Sequence, residues 1–147
     1  MIVLSGQAQT ILADAGWYEG RNIDVTETVT FLEAKGYDIF PCVIEVLKEF
    51  GGLECSYKRP DGSDESFHFH TIEIYGDYYE KEDFEDIEKR VGEPLIAIGE
   101  AYRYMNMFMS QSGKVYGEMG YCLVKFGDNI YDALETLCLF KRTVEID

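Results

Sequence analysis

A β-hairpin is predicted by the stretch LECSYKRPDGSDESFHFHT, which occupies residues 53–71. Apolar and polar residues alternate on both sides of its centre, with Leu53, Cys55 and Tyr57 before it and Phe67, Phe69 and Thr71 after it. A period of two places such residues on one face of a strand. Residues 59–64, RPDGSD, have the composition of a turn. Two antiparallel strands are therefore expected near the middle of the chain.

Helices are predicted on the N-terminal side of this hairpin. Ser5 is a suitable N-cap for a first helix that ends near Gly16, and a second helix is expected over residues 24–36. Pro41 suits the first turn of a third helix. Its apolar residues have the spacing of one helical face and are Val43, Val46, Leu47 and Phe50.

Strands dominate the C-terminal side, between two further helices. We expect a helix over residues 80–91, followed by strands over 95–100, 102–109, 114–117 and 121–126 and a terminal helix that begins near Ile130. Ser110-Gln111-Ser112-Gly113 is predicted to be a tight turn. Because neighbouring strands are joined by short turns, the fold class is α+β with a mostly antiparallel sheet. A chain of 147 residues is the usual size of a single domain, here expected over residues 1–147.

The charge balance restricts the partners that this chain can bind. There are 28 acidic residues against 13 basic ones, which gives a formal net charge of −15. Such a surface repels nucleic acids and anionic membranes, since both are bound through Lys and Arg. A basic protein would instead be attracted at long range. The alternative is that the acidic residues serve only solubility.

The ends and the cysteines indicate a protein of the cytoplasm. The N-terminus has a short apolar run, Ile2-Val3-Leu4, without the basic region of a signal peptide. The cysteines are far apart in the sequence and form no CxxC pair: Cys42, Cys55, Cys122 and Cys138. Reduced thiols in a cytoplasmic protein are therefore expected.

Acidic residues are concentrated between Asp61 and Glu93, where 12 of them stand against three basic residues. Tyrosines accompany carboxylates in the densest part, which makes a candidate protein-binding site of Asp77, Tyr78, Tyr79, Glu80, Glu82, Asp83, Glu85 and Asp86. Tyr provides contact area at low entropic cost, while carboxylates steer a basic partner. The alternative is a solvated helix face with i,i+4 ion pairs between Glu85 and Lys89 and between Asp86 and Arg90.

Catalytic motifs are not recognisable in this sequence, so we expect a protein without enzymatic activity or cofactors. It has no phosphate-binding loop, GxSxG elbow or HExxH helix. Its two histidines, His68 and His70, would share one face of a strand and could supply two ligands to a metal, with Glu73 or Asp64 as a third. The simpler interpretation is that Phe67 and Phe69 face the core and both histidines point outward.

Several motifs resemble the third subfamily of the SUKH superfamily. The stretch LADAGWYEGRNID, residues 12–24, looks like the opening of that family, and EFGGL at residues 49–53 is similar to its FGGL motif. Weaker matches follow in the same order at residues 98–100, 113–116, 127–129 and 133–135. Trp17 is expected to anchor a loop against the core, and Arg21 to bind loop carbonyls or Asp24.

The resemblance implies an α+β immunity protein that binds a cognate secreted bacterial toxin in the cytoplasm and blocks it. Many such toxins are nucleases with basic substrate channels, which suits the acidic charge. The family has no shared catalytic residues. Some members of the wider superfamily have other binding roles, including regulation of cell-wall synthesis, so a general protein-interaction or regulatory module is the alternative function.

Overall fold

One antiparallel sheet organises the protein. The computed structural model describes residues 4–76 and 79–147, and within these ranges seven strands follow each other in sequence order as a meander. The strands are β1 (Glu54–Lys58), β2 (Asp64–His68), β3 (Leu95–Ala101), β4 (Met105–Ser110), β5 (Val115–Met119), β6 (Cys122–Gly127) and β7 (Val144–Glu145). The α+β fold class with a largely antiparallel sheet is thereby confirmed.

Helices precede, interrupt and follow the strands. They are α1 (Gly6–Asp14), α2 (Thr26–Ala34), α3 (Pro41–Phe50), α4 (Thr71–Tyr75), a 3-10 turn (Lys81–Phe84), α5 (Glu85–Val91) and α6 (Ile130–Leu139). The side chain of Ser5 accepts a hydrogen bond from the backbone N–H of Ala8 at 3.2 Å, so the predicted N-cap is formed. Pro41 is the first residue of α3, and the four apolar residues predicted for its inner face are buried.

The predicted hairpin is formed by β1 and β2, with Cys55 opposite Phe67. Its turn is stabilised by Asp61, whose carboxylate accepts a hydrogen bond from the backbone N–H of Ser63 at 2.9 Å. The strand ends at His68, earlier than its apolar alternation predicts, and Thr71 begins the short helix α4. Phe69 is nevertheless buried beside Phe50, with 5.7 Å between ring centroids.

Helices cover both faces of the sheet at its centre. The successive residues Leu95, Ile96, Ala97 and Ile98 of β3 are all buried, although neighbouring side chains in a strand point to opposite faces. The helix α4 contacts β3, while α6 contacts β6 and α1. One continuous hydrophobic cluster therefore includes residues of every α-helix.

The crossing between β2 and β3 is unusually close. At Gly99 a Cβ atom would lie 1.9 Å from the backbone oxygen of His68, so this position requires glycine. The register of β3 shifts between Ala97 and Gly99. Next to this irregularity the hydroxyl of the buried Tyr75 accepts a hydrogen bond from the Ala97 N–H at 3.0 Å. The same hydroxyl donates to that of Tyr37 at 2.8 Å, and burial raises the pKa of Tyr75 to about 12.

Further differences from the sequence prediction lie in the second half of the chain. The helix expected over residues 80–91 is divided into the 3-10 turn and α5, with the boundary at Phe84. The strand expected from Tyr102 begins at Met105, because Tyr102 and Arg103 have φ of 53° and 68° and form a left-handed turn. The strand β7 was not predicted, and it pairs with β6 through Val144 and Glu145.

All four cysteines are free. Cys55 and Cys138 are buried, and burial raises the pKa of each thiol to about 12. Thiolate is the reactive form of cysteine, so these two side chains act as small core residues.

Replacing Tyr75 by Phe should lower the free energy of unfolding by about 1–3 kcal/mol, because the buried Ala97 N–H and Tyr37 hydroxyl lose their partner. Tyr18→Phe is the matched control, since Tyr18 is 60% exposed and should change stability by less than about 0.5 kcal/mol. Urea denaturation measures both variants. Equal midpoints for Tyr75→Phe and the parent would show that this hydroxyl does not stabilise the protein at the register shift of β3.

Candidate functional site

The predicted acidic site is held on the protein by one aromatic side chain. Asp77 and Tyr78 lie outside the described residues, and the remaining segment runs from Tyr79 to Asp86. Phe84 in its middle is 4% exposed. Its ring centroid lies 4.9 Å from that of Phe108 in β4 and 5.9 Å from that of Tyr75. The segment is thus anchored against the sheet at its central residue.

Two of the predicted site residues stabilise the backbone of the segment. Glu80 and Asp83 form a capping box, in which Asp83 accepts a hydrogen bond from the backbone N–H of Glu80 at 2.7 Å. Lys35, the residue that follows α2, donates to the carbonyl of Tyr79 and to the carboxylate of Glu80, both at 3.0 Å. These contacts fix the start of the segment, and they occupy carboxylates that were expected to face a partner.

The other acidic residues of the segment, Glu82, Glu85 and Asp86, are exposed. The i,i+4 ion pairs of the alternative interpretation, from Glu85 to Lys89 and from Asp86 to Arg90, are not formed. Arg90 turns instead to backbone carbonyls, donating to that of Tyr121 at 3.2 Å and to that of Ile146 at 2.7 Å.

Within the described residues, no cation forms an ion pair with Glu82, Glu85 or Asp86. Three uncompensated carboxylates on a short, anchored helical segment create a local negative potential. Such a surface can attract and orient a basic protein.

The residues of the family-like motifs meet elsewhere, around Glu49 of α3. Its carboxylate accepts hydrogen bonds from the indole N–H of Trp17 at 3.0 Å and from the hydroxyl of Tyr131 at 2.8 Å. Burial raises the pKa of Tyr131 to about 12, so this hydroxyl remains a donor. The guanidinium of Arg21 donates to the carbonyls of Glu49 at 2.7 Å and Gly51 at 3.0 Å. Arg21 was expected to bind loop carbonyls or Asp24, and its observed partners are carbonyls at the C-terminal end of α3.

A cleft of about 710 Å³ lies beside this cluster. Motif segments that are far apart in the sequence contribute to its lining, among them Arg21, Asn22, Glu49, Gly113, Asn129 and Tyr131. Their order in the chain gave no sign that they would converge. Both carboxylate oxygens of Glu49 are engaged, and burial raises the pKa of the neighbouring Cys42 thiol. The cleft therefore offers neither a free general base nor an activated nucleophile at these positions.

The rings of His68 and His70 each take part in a hydrogen bond with a nearby group. Nδ1 of His68 accepts from the backbone N–H of His70 at 3.1 Å, and Nε2 of His70 lies 2.8 Å from the carboxylate of Glu54. Phe67 and Phe69 are buried, as the simpler interpretation predicted, and both histidines are half-buried.

The carboxylates of Glu54 and Glu100 lie beside the histidines, the latter 4.0 Å from Nε2 of His68, and neither is a third ligand that the sequence suggested. Asp64 pairs with Lys58 at the far end of the hairpin. Among the residues that the structure describes, no three His, Cys, Asp or Glu side chains are grouped as a metal site would require.

Comparison with protein families agrees with the motifs gathered around Glu49. The model of the SUKH-3 immunity protein family matches residues 4–139. The chain belongs to this family. The match extends from the cap of α1 to the end of α6, and so includes the whole sheet except β7. Neither the curated proteins nor the solved structures gave a match.

Membership of this family supports an immunity function and, with it, a protein toxin as partner. It also indicates a non-enzymatic role. None of the helices in residues 4–76 and 79–147 combines the length and apolar character that a membrane span requires.

Replacing Glu49 by Ala should lower the free energy of unfolding by about 3 kcal/mol, because Trp17 and Tyr131 each lose a charged acceptor. Glu49→Gln should recover much of this loss, since an amide can accept from the indole and donate to the hydroxyl. Glu45→Ala is the control on the same helix, with an exposed carboxylate 3.8 Å from Lys48. If all three variants have the parent's urea midpoint, Glu49 does not hold the helices together.

The pair of histidines yields a pH-dependent prediction. Burial lowers the pKa of His68 below its ordinary value of 6.5, so the folded protein favours the neutral ring. As pH falls below 6.5, the unfolded chain takes up this proton first and the contribution of His68 to stability declines. The free energy of unfolding of the parent, measured relative to that of His68→Gln, should therefore decrease between pH 7.5 and pH 5.

Calorimetric titration with zinc should find well under one ion bound per chain. A stoichiometric ion that is lost in His68→Gln would establish a metal site.

Proposed function

We propose that this protein binds and neutralises a cognate secreted bacterial toxin domain in the cytoplasm of the cell that produces both. The observation that carries the proposal is the match to the SUKH-3 immunity protein family over residues 4–139. The toxin is expected to be encoded beside the immunity gene. Inhibition would follow from complex formation, with no chemical step supplied by this chain.

The charge of the protein supports a basic partner, and a nuclease domain is the kind of toxin that fits best. A nuclease holds its substrate in a channel lined by basic residues, because phosphates must be neutralised. A net charge of −15 and the uncompensated carboxylates of Glu82, Glu85 and Asp86 complement such a surface. An acidic protein seated on the channel would also exclude the nucleic acid by repulsion.

The backbone of the acidic segment is held in place by tertiary contacts, which favours its use as a docking surface. Phe84 fixes it against the sheet, and Lys35 fixes its first turn through the carbonyl of Tyr79. Carboxylates presented from a fixed backbone lose little conformational freedom when a partner binds. We therefore propose that Glu82, Glu85 and Asp86 face the toxin, and that Glu80 and Asp83 keep their backbone in place.

Charge reversal at Glu82, Glu85 and Asp86 to Lys should slow association with the neighbouring toxin domain at least about 10-fold and weaken protection of co-expressing cells. Asp83 is left unchanged because it caps the 3-10 turn. The control variant reverses Asp14, Glu19 and Glu27, which are exposed and alter the formal charge equally. Surface plasmon resonance measures the association rate, and circular dichroism checks that both variants fold.

The dependence of the association rate on salt distinguishes electrostatic steering at this surface from an effect of the overall net charge. Association of the parent and of the control variant should slow as ionic strength rises above about 0.1 M, where the screening length is about 10 Å. The Glu82, Glu85 and Asp86 variant should depend on salt less steeply. Equal slowing of both variants would place the contact elsewhere, while failure of the parent to bind or protect would reject the immunity function.

A further inference from the structure

The turn between β5 and β6 presents an aromatic side chain almost entirely to solvent. Tyr121 is 97% exposed, and Met119 before it is 48% exposed. Isolated apolar residues on a surface are common and do not by themselves indicate a contact. What distinguishes this turn is how its backbone is held and which surface it adjoins.

The backbone of the turn is fixed from two sides. Met119 and Cys122 pair across the hairpin, and the N–H of Ile146 donates to the carbonyl of Leu123 at 2.7 Å. Arg90 of α5 supplies the second attachment, since its guanidinium donates to the carbonyls of both Tyr121 and Ile146. Because this backbone is already fixed, binding would order only the two side-chain torsions of Tyr121.

The same arginine makes this turn continuous with the acidic surface. Arg90 follows Asp86 by four residues on α5, and residues at this spacing are neighbours on one helix face. The Tyr121 carbonyl contacts Arg90, so the turn borders the side of α5 that carries Asp86. Tyr79, also exposed, lies at the opposite end of the segment against Phe84, with 5.3 Å between ring centroids.

The composition of this surface matches the organisation of strong protein interfaces. Energy there is concentrated in a few Trp, Tyr and Arg residues that lose their water, while charged residues at the rim steer the encounter. A tyrosine ring also attracts Arg and Lys side chains through its π face, and a basic partner provides these.

We infer that Tyr121 is the aromatic anchor of the toxin contact, inserted into the basic surface of the toxin domain with Glu82, Glu85 and Asp86 along its edge. This inference rests on the proposed function, and it adds a residue outside the acidic segment. The two parts of the surface act on different rates. The carboxylates set how fast the complex forms, and Tyr121 sets how slowly it separates.

The test measures the binding kinetics of the full-length protein with the neighbouring toxin domain. Tyr121→Ala should raise the dissociation rate at least about 30-fold, as expected for a hot-spot residue, and change the association rate less than about threefold. Tyr121→Phe should stay close to the parent, because the ring is retained. The matched control is Tyr18→Ala, whose side chain is also exposed but lies on the loop between α1 and α2.

The outcomes distinguish this inference from the proposed function. If the parent binds the toxin and Tyr121→Ala dissociates as slowly as the parent, the anchor is wrong and the immunity function stands. The anchor is also wrong if Tyr18→Ala accelerates dissociation as much as Tyr121→Ala. If the parent does not bind, both proposals fail. Equal urea midpoints for the parent and Tyr121→Ala would confirm that a change in dissociation does not arise from unfolding.

Discussion

The Glu49 carboxylate connects parts of the chain that are far apart in sequence. Trp17 reaches it from the loop after α1, and Tyr131 reaches it from the first turn of α6. Since α6 also packs against α1 and β6, this one acceptor joins the N-terminal helices to the last helix and the sheet beneath it. The backbone N–H of Ser5 adds a second link, donating to the side chain of Glu135 at 2.5 Å. Through these two carboxylates the N-terminal part of the chain, α3 and α6 are held together.

Features governed by local chemistry could be predicted from sequence, and those set by distant contacts could not. The hairpin of β1 and β2, the start of α3 at Pro41 and the turn at residues 110–113 follow from turn residues and apolar spacing. The short helix α4 and the strand β7 have too few residues to show a period. The break at Phe84 lies where its ring contacts Phe108, a contact that no local pattern contains.

The charge of the candidate site could be predicted from the sequence, but its hydrogen bonds and ion pairs could not. A dense run of Asp and Glu indicates an exposed surface, and Glu82, Glu85 and Asp86 are exposed. Sequence spacing suggested ion pairs within α5, but Arg90 binds carbonyls of the β5–β6 turn and of Ile146. That choice depends on tertiary structure, as does the exposure of Tyr121, because tyrosines are found both in cores and on surfaces.

The contact between Arg90 and the β5–β6 turn is made through main-chain oxygens, so the path of the turn is independent of the side chain at position 121. Substitutions at position 121 therefore leave the hydrogen bond from Arg90 to the backbone of the turn in place. The same separation holds between Glu49, which secures the helices, and the exposed carboxylates of Glu82, Glu85 and Asp86. Such a division allows the exposed side chains that could contact a partner to change one at a time, while the contacts that hold the fold stay the same.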